Sequence, residues 1–286
     1  MKMEKSNSVS SLKKQLAAAV AMVCVAAVAT SSATYAWFVT NNKVDATTTN
    51  ISAQSNAAFM TITNGATGAH GVDTTSAVSV LKDADGQPLK NVALYPATFG
   101  EETDSTKGTF MTAYGTTLDN GAINSTLETV GTPDEADTKE FAKKEQFNIS
   151  SKGQNLSDLK VDSVETVTDV ADGQLIKTAL RVLVTNGKTG SDFAWVVYAY
   201  DAAATTTAKQ SDPNAADVYS IKLSSETDNS APVLGSVTAG QDTLVNVYLY
   251  YEGSDTNIKT RNLQDNKLTG SQSVKINFTA TADNQN

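Results

Sequence analysis

From Val274 to Ala282 the chain alternates strictly, with Val274, Ile276, Phe278, Ala280 and Ala282 on one side and Lys275, Asn277, Thr279 and Thr281 on the other. An extended backbone sends successive side chains to opposite faces, so this period of two predicts a half-buried β-strand. In the segment 217–223, Tyr219, Ile221 and Leu223 oppose Ser220 and Lys222 in the same way. Two further runs, FAWVVYAY (193–200) and TLVNVYLYY (243–251), are apolar on both faces. They predict central strands covered on each side, because a strand with one wet face would alternate. LIKTALRVLVTN (175–186) reads as a fourth strong strand, and FMTIT (59–63) and NVALY (91–95) as weaker ones.

Turn-forming residues punctuate these runs at 83–88, 185–192, 252–257 and 268–272, which is the chemistry hairpin connections require. One segment departs from the pattern. Thr132-Pro133-Asp134-Glu135 supplies an N-cap, a proline at the first helical position and a glutamate at the third, and helix-forming residues follow, so a short helix is predicted over 133–146. The acidic, Gly- and Thr-rich stretch 100–132 reads as a long loop, making 100–146 an insertion that carries the helix. No repeat or linker divides the chain. The expected fold is all-β: a jelly-roll-like antiparallel β-sandwich with one short helix, in a single domain over 37–286.

Residues 1–36 form a separate unit of pattern. Lys2, Lys5, Lys13 and Lys14 precede an uncharged stretch from Leu16 to Asn42. Its apolar centre, LAAAVAMVCVAAV, has the length of a secretory signal core and is short of the roughly 20 residues of a membrane span. Small residues follow, and a cut between Ala36 and Trp37 would place Thr34 and Ala36 in the narrow subsites of a signal peptidase. An uncleaved anchor is the alternative, and it is the one route to membrane contact that the sequence offers. The expected location is therefore outside the cell, and the C-terminal TATADNQN, without an LPxTG motif, gives no expectation of covalent sorting to a wall.

Composition narrows the chemistry. The net charge is −9, and four of the basic residues lie in 1–36. Nucleic acid and anionic membrane are therefore not expected partners. Cys24, the only cysteine, lies in the apolar leader, so the rest of the chain has no disulfide, thiolate metal site or cysteine nucleophile. The only histidine is His70, in a Gly-rich turn; HExxH and other two-histidine zinc sites lack their ligands. There is no GxSxG, GxGxxG or Walker loop. Glu101-Glu102 and Asp134-Glu135 read as solvated neighbours, not as carboxyls facing across a cleft. Asp83-Ala84-Asp85-Gly86 resembles the start of a calcium loop but lacks its remaining ligands, and reads as a hairpin turn. No cofactor, no metal site and no catalytic residue is expected.

Several segments resemble one family. The junction SSATYAWFVTNNKVDATTT looks like the export signal handled by the SipW-type signal peptidase, which processes the TasA/camelysin proteins of Gram-positive bacteria. Leu94 to Thr98 (LYPAT) is similar to a segment common in those proteins, as are Tyr251-Glu252-Gly253-Ser254-Asp255 and the closing strand Val274–Ala282. The resemblance implies a jelly-roll-like sandwich and, for the best-known members, assembly into extracellular fibres of the biofilm matrix. Camelysin-type members are described as metallopeptidases, and this sequence has no motif matching that activity.

Assembly has a candidate strand. After cleavage, Trp37, Phe38, Val39 and Thr40 would open the chain, followed by Val44, Ala46 and Thr48 in alternation. Segment 37–49, donated to a neighbour's sheet, would satisfy its backbone groups and bury its aromatics. Head-to-tail pairing of this kind does not close on itself, so the expected partner is the chain itself, as a homopolymer, with other matrix proteins as further partners. The alternative is that residues 44–54 form the first strand of their own domain. A competing role is an adhesin or carbohydrate-binding module, with Tyr114 or Tyr251 as its sugar platform; a camelysin-like peptidase is the remote third.

Overall fold

The two runs apolar on both faces form the middle of the sheet. The computed structural model describes residues 44–55, 60–65, 76–80, 92–100, 108–112, 118–119, 122–123, 127–168, 175–258 and 271–283, all within one unit, Lys43–Asn286. In chain order the elements are β1 (Val44–Ser55), β2 (Met60–Asn64), β3 (Ser76–Val80), β4 (Val92–Leu94), β5 (Ala97–Phe99), β6 (Phe110–Thr112), β7 (Leu118–Asp119), β8 (Ala122–Ile123), β9 (Thr129–Gly131) and α1 (Pro133–Thr138). There follow β10 (Lys143–Ser151), β11 (Leu156–Thr168), α2 (Ile176–Ala179), β12 (Leu180–Thr185), β13 (Trp195–Tyr200) and α3 (Ala202–Ser211). The last four are β14 (Asp217–Ser224), β15 (Gly235–Val237), β16 (Thr243–Tyr251) and β17 (Ser271–Ala282).

One hydrogen-bonded path runs β2-β10-β16-β12-β13-β14-β11-β17-β1-β3, with β15 beside β11 and β4 beside β1. β2 at one end lies against β1 and β3 at the other, so the path curls over into the two layers of a sandwich. The expected all-β, jelly-roll-like architecture is what the chain forms. Among the described strands every ladder is antiparallel except β1 on β17, which is parallel.

The central strands carry the core. In β13, residues 195–198 are all buried, and so is β16 from Val245 to Tyr251. One face of these strands, with Leu183, Trp195, Val197, Tyr248 and Tyr250, packs on Ala97, Phe99, Phe110, Val130, Ala136 and Ala142. Those partners belong to a second sheet, β5-β6-β9, to α1 and, for Ala142, to the turn that follows it. Phe99 meets Trp195 edge-on at 5.0 Å, and Phe110 meets Tyr250 in the same way at 5.0 Å. Such pairs add about 0.5–1.5 kcal/mol beyond the burial of the rings. The described part of 100–132 is thus not a loop: β6 and β9 are short strands that roof the central ones, and their apolar residues are too few and too scattered to show a period.

Three further departures from the predicted elements have local causes. The helix expected over 133–146 ends at Thr138. Its capping box is present, with the Thr132 amide donating to Glu135 Oε2 at 2.7 Å. It stops because Glu140 takes φ +62° and the amides of Phe141 and Ala142 turn back onto the Ala136 carbonyl. The following Lys-Lys-Glu-Gln-Phe is paired into β10 against β16, with β2 joining on the other side from Phe147; this sheet pairing outweighs a helix preference of a few tenths of a kcal/mol per residue, on the order of the whole propensity range. The strand expected over 175–186 begins with the single helical turn α2, where Thr178 Oγ1 donates to the Leu175 carbonyl at 2.8 Å. Ile176 and Ala179 are both buried there, so the apolar text continues while the backbone changes. Helix α3, which the periodicity did not announce, is capped by Asp201, whose carboxylate accepts from the Ala204 amide at 2.9 Å.

Candidate functional site

The expected assembly residues divide at the edge of the described chain. Ala36, Trp37, Phe38 and Val39 lie outside the described residues, as do His70, the 83–86 turn, Glu101-Glu102 and Tyr114. Val44, Ala46 and Thr48 lie on β1 and are paired within their own domain. Val44 stands opposite Leu94 and Ala46 opposite Val92 on β4, and Thr48 stands opposite Gln272 on β17. The parallel ladder then skips a residue: Thr48 pairs with Gln272 and Asn50 with Ser273. Thr49 is the extra residue, and such a bulge bends a strand and re-aims what precedes it. Beyond the bulge, β1 has β17 on one side and β3 on the other.

Two of the segments that carry the family resemblance meet in space. Glu252 is 3% exposed, and its carboxyl accepts from the Thr98 hydroxyl, from the Ser254 amide at 3.1 Å and from the Ser254 hydroxyl at 2.9 Å. The Gly253 amide donates to the Ala97 carbonyl at 3.0 Å. LYPAT therefore runs from the β1 ladder at Leu94 to a clasp on the end of β16 at Thr98. The joint accounts for the acid: buried Glu252 is given neutral donors, and the Asp255 amide closes a turn onto the Glu252 carbonyl at 3.1 Å. Tyr251, offered above as a sugar platform, is 1% exposed. It packs at the strand end opposite Leu180, so that part of the adhesin reading is corrected.

A second buried acid lies under α3. Asp217, 1% exposed, takes Lys209 Nζ at 2.6 Å and Lys177 Nζ at 3.3 Å. Burial pushes its carboxyl up, but the two ammonium groups outweigh this and hold it below the ordinary value. Lys177 also lies over the Tyr200 ring, 4.8 Å from its centroid, and the Tyr219 hydroxyl donates to the Lys177 carbonyl at 2.8 Å. The cluster ties α2 and α3 to β14.

The described residues also enclose a cleft of about 350 Å³ between the start of α1, the 185–193 turn and β16. Thr185 and Asn246 form its floor, Phe193 a wall, and Asp134 and Lys188 its rim. Asp134 accepts from the Tyr248 hydroxyl at 2.6 Å and from Lys144 Nζ at 2.7 Å. Burial raises the Asp134 carboxyl, and Lys144 and Tyr248 more than offset it, leaving it below the ordinary range. Burial and the neighbouring carboxylate together push the Tyr248 phenol well above its usual value. The chain of contacts continues inward, with Gln146 Nε2 donating to Asn246 Oδ1 at 2.9 Å. Sequence reasoning saw Thr132–Glu135 as a cap and 185–192 as a turn; nothing in either signals that folding brings them together with Asn246.

Asp134 and Glu135, read as solvated, are both exposed, yet each has a fixed structural partner. Among the described residues no three His, Cys, Asp or Glu side chains are grouped so as to hold a metal ion, and no helix is long and apolar enough to cross a membrane. Comparison with known proteins adds no relative: no family model, curated protein or solved structure matches the chain.

Proposed function

We propose that the chain is a secreted structural protein of the bacterial cell surface or biofilm matrix: a fibre subunit that polymerises head to tail by donating its N-terminal strand, as its resemblance to the TasA/camelysin proteins implies. The observation that carries the reading is the break in β1 at Thr49, at the end of the 37–49 segment expected to be donated. Ahead of it, the ladders give Val44–Ala46 three backbone pairs with β4, and Thr47 and Thr48 one each with β17. No turn joins parallel strands directly, so the ladder positions on β4 and then β17 that Val44–Thr48 fill would accept an arm of the same sequence from another copy as readily as their own.

Exchange replaces each intrachain pair with an identical interchain one, which leaves the hydrogen-bond balance nearly unchanged. Burial of Trp37 and Phe38 against a neighbouring copy would drive it, at on the order of 1.5–3 kcal/mol each. The role read here is structural, not enzymatic, and the acidic surface keeps free subunits apart until the arm engages. The partner is the chain itself, with other matrix proteins able to add at fibre ends, and the membrane enters only through an uncut leader.

Negative-stain electron microscopy of the form beginning at Trp37 tests this. Filaments of uniform width are expected, and a form lacking residues 37–42 should stay monomeric while melting within a few degrees of the parent. Persistent monomers of the parent form, or normal filaments from the shortened one, would overturn the reading.

A further inference from the structure

The cleft beside Phe193 has the composition of a ligand site that the fibre reading leaves unused. Its floor is made of buried donors. Asn246 is 3% exposed and its amide nitrogen carries two protons, yet that nitrogen makes one long contact, 3.5 Å to the Tyr248 oxygen. Thr185 is 1% exposed and its Oγ1 accepts from the Gly187 amide at 3.3 Å, leaving its own proton to give. Each floor group has one weak contact and a proton still to give, and a buried donor gains most from an acceptor where water is scarce, so an oxygen acceptor from outside would complete the floor.

The way to that floor is kept open by glycine. Gly187 has φ +66°, and a Cβ there would stand 3.2 Å from Asn246 Nδ2, over the amide itself. Gly108, at φ +85°, lets the Phe193 ring lie against the backbone, where a Cβ would come within 3.1 Å of it. At the mouth, the Asp134 carboxylate is available as an acceptor, and its charge is already matched by Lys144. The interior of the cleft thus offers buried donors, an apolar ring and a neutralised acceptor, with Lys188 left at the solvent-facing rim, and this interior favours an uncharged group. Its volume, about 350 Å³, is at the small end of the roughly 300–1,000 Å³ usual for ligand pockets, which suits a sugar residue and not a folded partner.

We infer that this cleft binds a saccharide bearing an acetamido group. The carbonyl oxygen takes the Asn246 and Thr185 protons on the floor, the methyl lies against Phe193, and the N–H or a neighbouring hydroxyl donates to Asp134. A plain hexose has ring hydroxyls for Asp134 but no carbonyl for the floor, and no methyl for the wall.

Titration calorimetry of the purified chain with the trimer of N-acetylglucosamine tests the assignment, with the glucose trimer and an N-acetylated tripeptide as comparisons. Saturable binding of the acetylated sugar is expected, at least about tenfold tighter than of the glucose trimer, the difference one good buried hydrogen bond makes. Phe193→Ala should weaken it by about tenfold or more through the lost wall. Thr189→Trp, at an exposed rim position, should block the cleft without touching the core, with an unchanged melting curve. No saturable binding, equal binding of the glucose trimer, preference for the peptide, or Thr189→Trp binding like the parent would each overturn the inference. The readout does not involve filaments, so the fibre reading stands or falls separately.

Discussion

Two buried carboxyls, Glu252 and Asp217, hold the domain together by opposite means. Glu252 is surrounded by neutral donors, two hydroxyls and an amide, and joins segments 154 positions apart. Asp217 is met by two lysines, 27% and 41% exposed on their own side chains, 40 and 8 positions away in the chain, and joins α2, α3 and β14. The first is a geometric joint, since removing one donor leaves a buried acceptor short. The second is an ion cluster at the edge of solvent, where a lysine's contribution is screened and its loss is shared with the other. The long-range joint is therefore the more fragile to substitution, and the local one the more sensitive to pH and salt.

The sharpest way to break this contrast is Thr98→Val, which keeps the shape and removes the hydroxyl facing Glu252. We expect a loss of about 1.5–3 kcal/mol, a hydrogen bond to a carboxyl in a buried site, seen as a lower urea midpoint at unchanged slope; a loss under half a kcal/mol, on the order of a surface substitution, would show that the clasp is not a joint. Asp217→Asn comes next, at about 1–2 kcal/mol, because two partly exposed lysines stay solvated when the charge goes.

The pH dependence of the two proteins separates the carboxyl's own part. A folded-state value below the ordinary 3.8 for Asp217 means that its stabilisation is complete above about pH 4 and fades as the pH falls below that, through the folded value. Asp217→Asn should flatten part of that acid loss, while Asp134, Glu135, Asp201 and Asp228, shifted in the same direction, keep the remainder. The smallest effect is expected from Lys209→Met, at under about 1 kcal/mol and nearly gone in 1 M salt. Were Thr98→Val equally salt-sensitive, the distinction between joint and cluster would fail.

Much of the framework is legible in the chain because burial writes its own pattern. Runs 193–200 and 243–251 lack a polar face since both sides of β13 and β16 are covered, and Val274, Ile276 and Phe278 face the core as their alternation predicts. Even there a local irregularity intrudes: β14 carries an extra residue, Lys222, opposite the step from Val197 to Tyr198. Hydrophobicity alone does not tell a helical turn from a strand, which is why Leu175–Ala179 reads as extended. Propensity misleads at Lys143–Phe147 because the deciding partner, β16, is far away in sequence. Alanines and threonines hide α3, although Asp201 ahead of three alanines is a usable capping signal. The cleft is the least legible feature, since its parts come from around residues 108, 133, 188 and 247 and share no spacing.

The parallel pairing of β1 with β17 also has a mechanical consequence. The two strands run side by side from Thr47 opposite Ser271 to Ser55 opposite Phe278, so the start of β1 and the finish of β17 lie at opposite ends of the ladder. Tension applied through those two points pulls along the strands in opposing directions. The ladder's hydrogen bonds are then loaded together, in shear, and none opens first as in the peeling of a hairpin. A chain strung through this ladder would resist stretching by sharing the load across its whole length, and would yield abruptly when it yields at all.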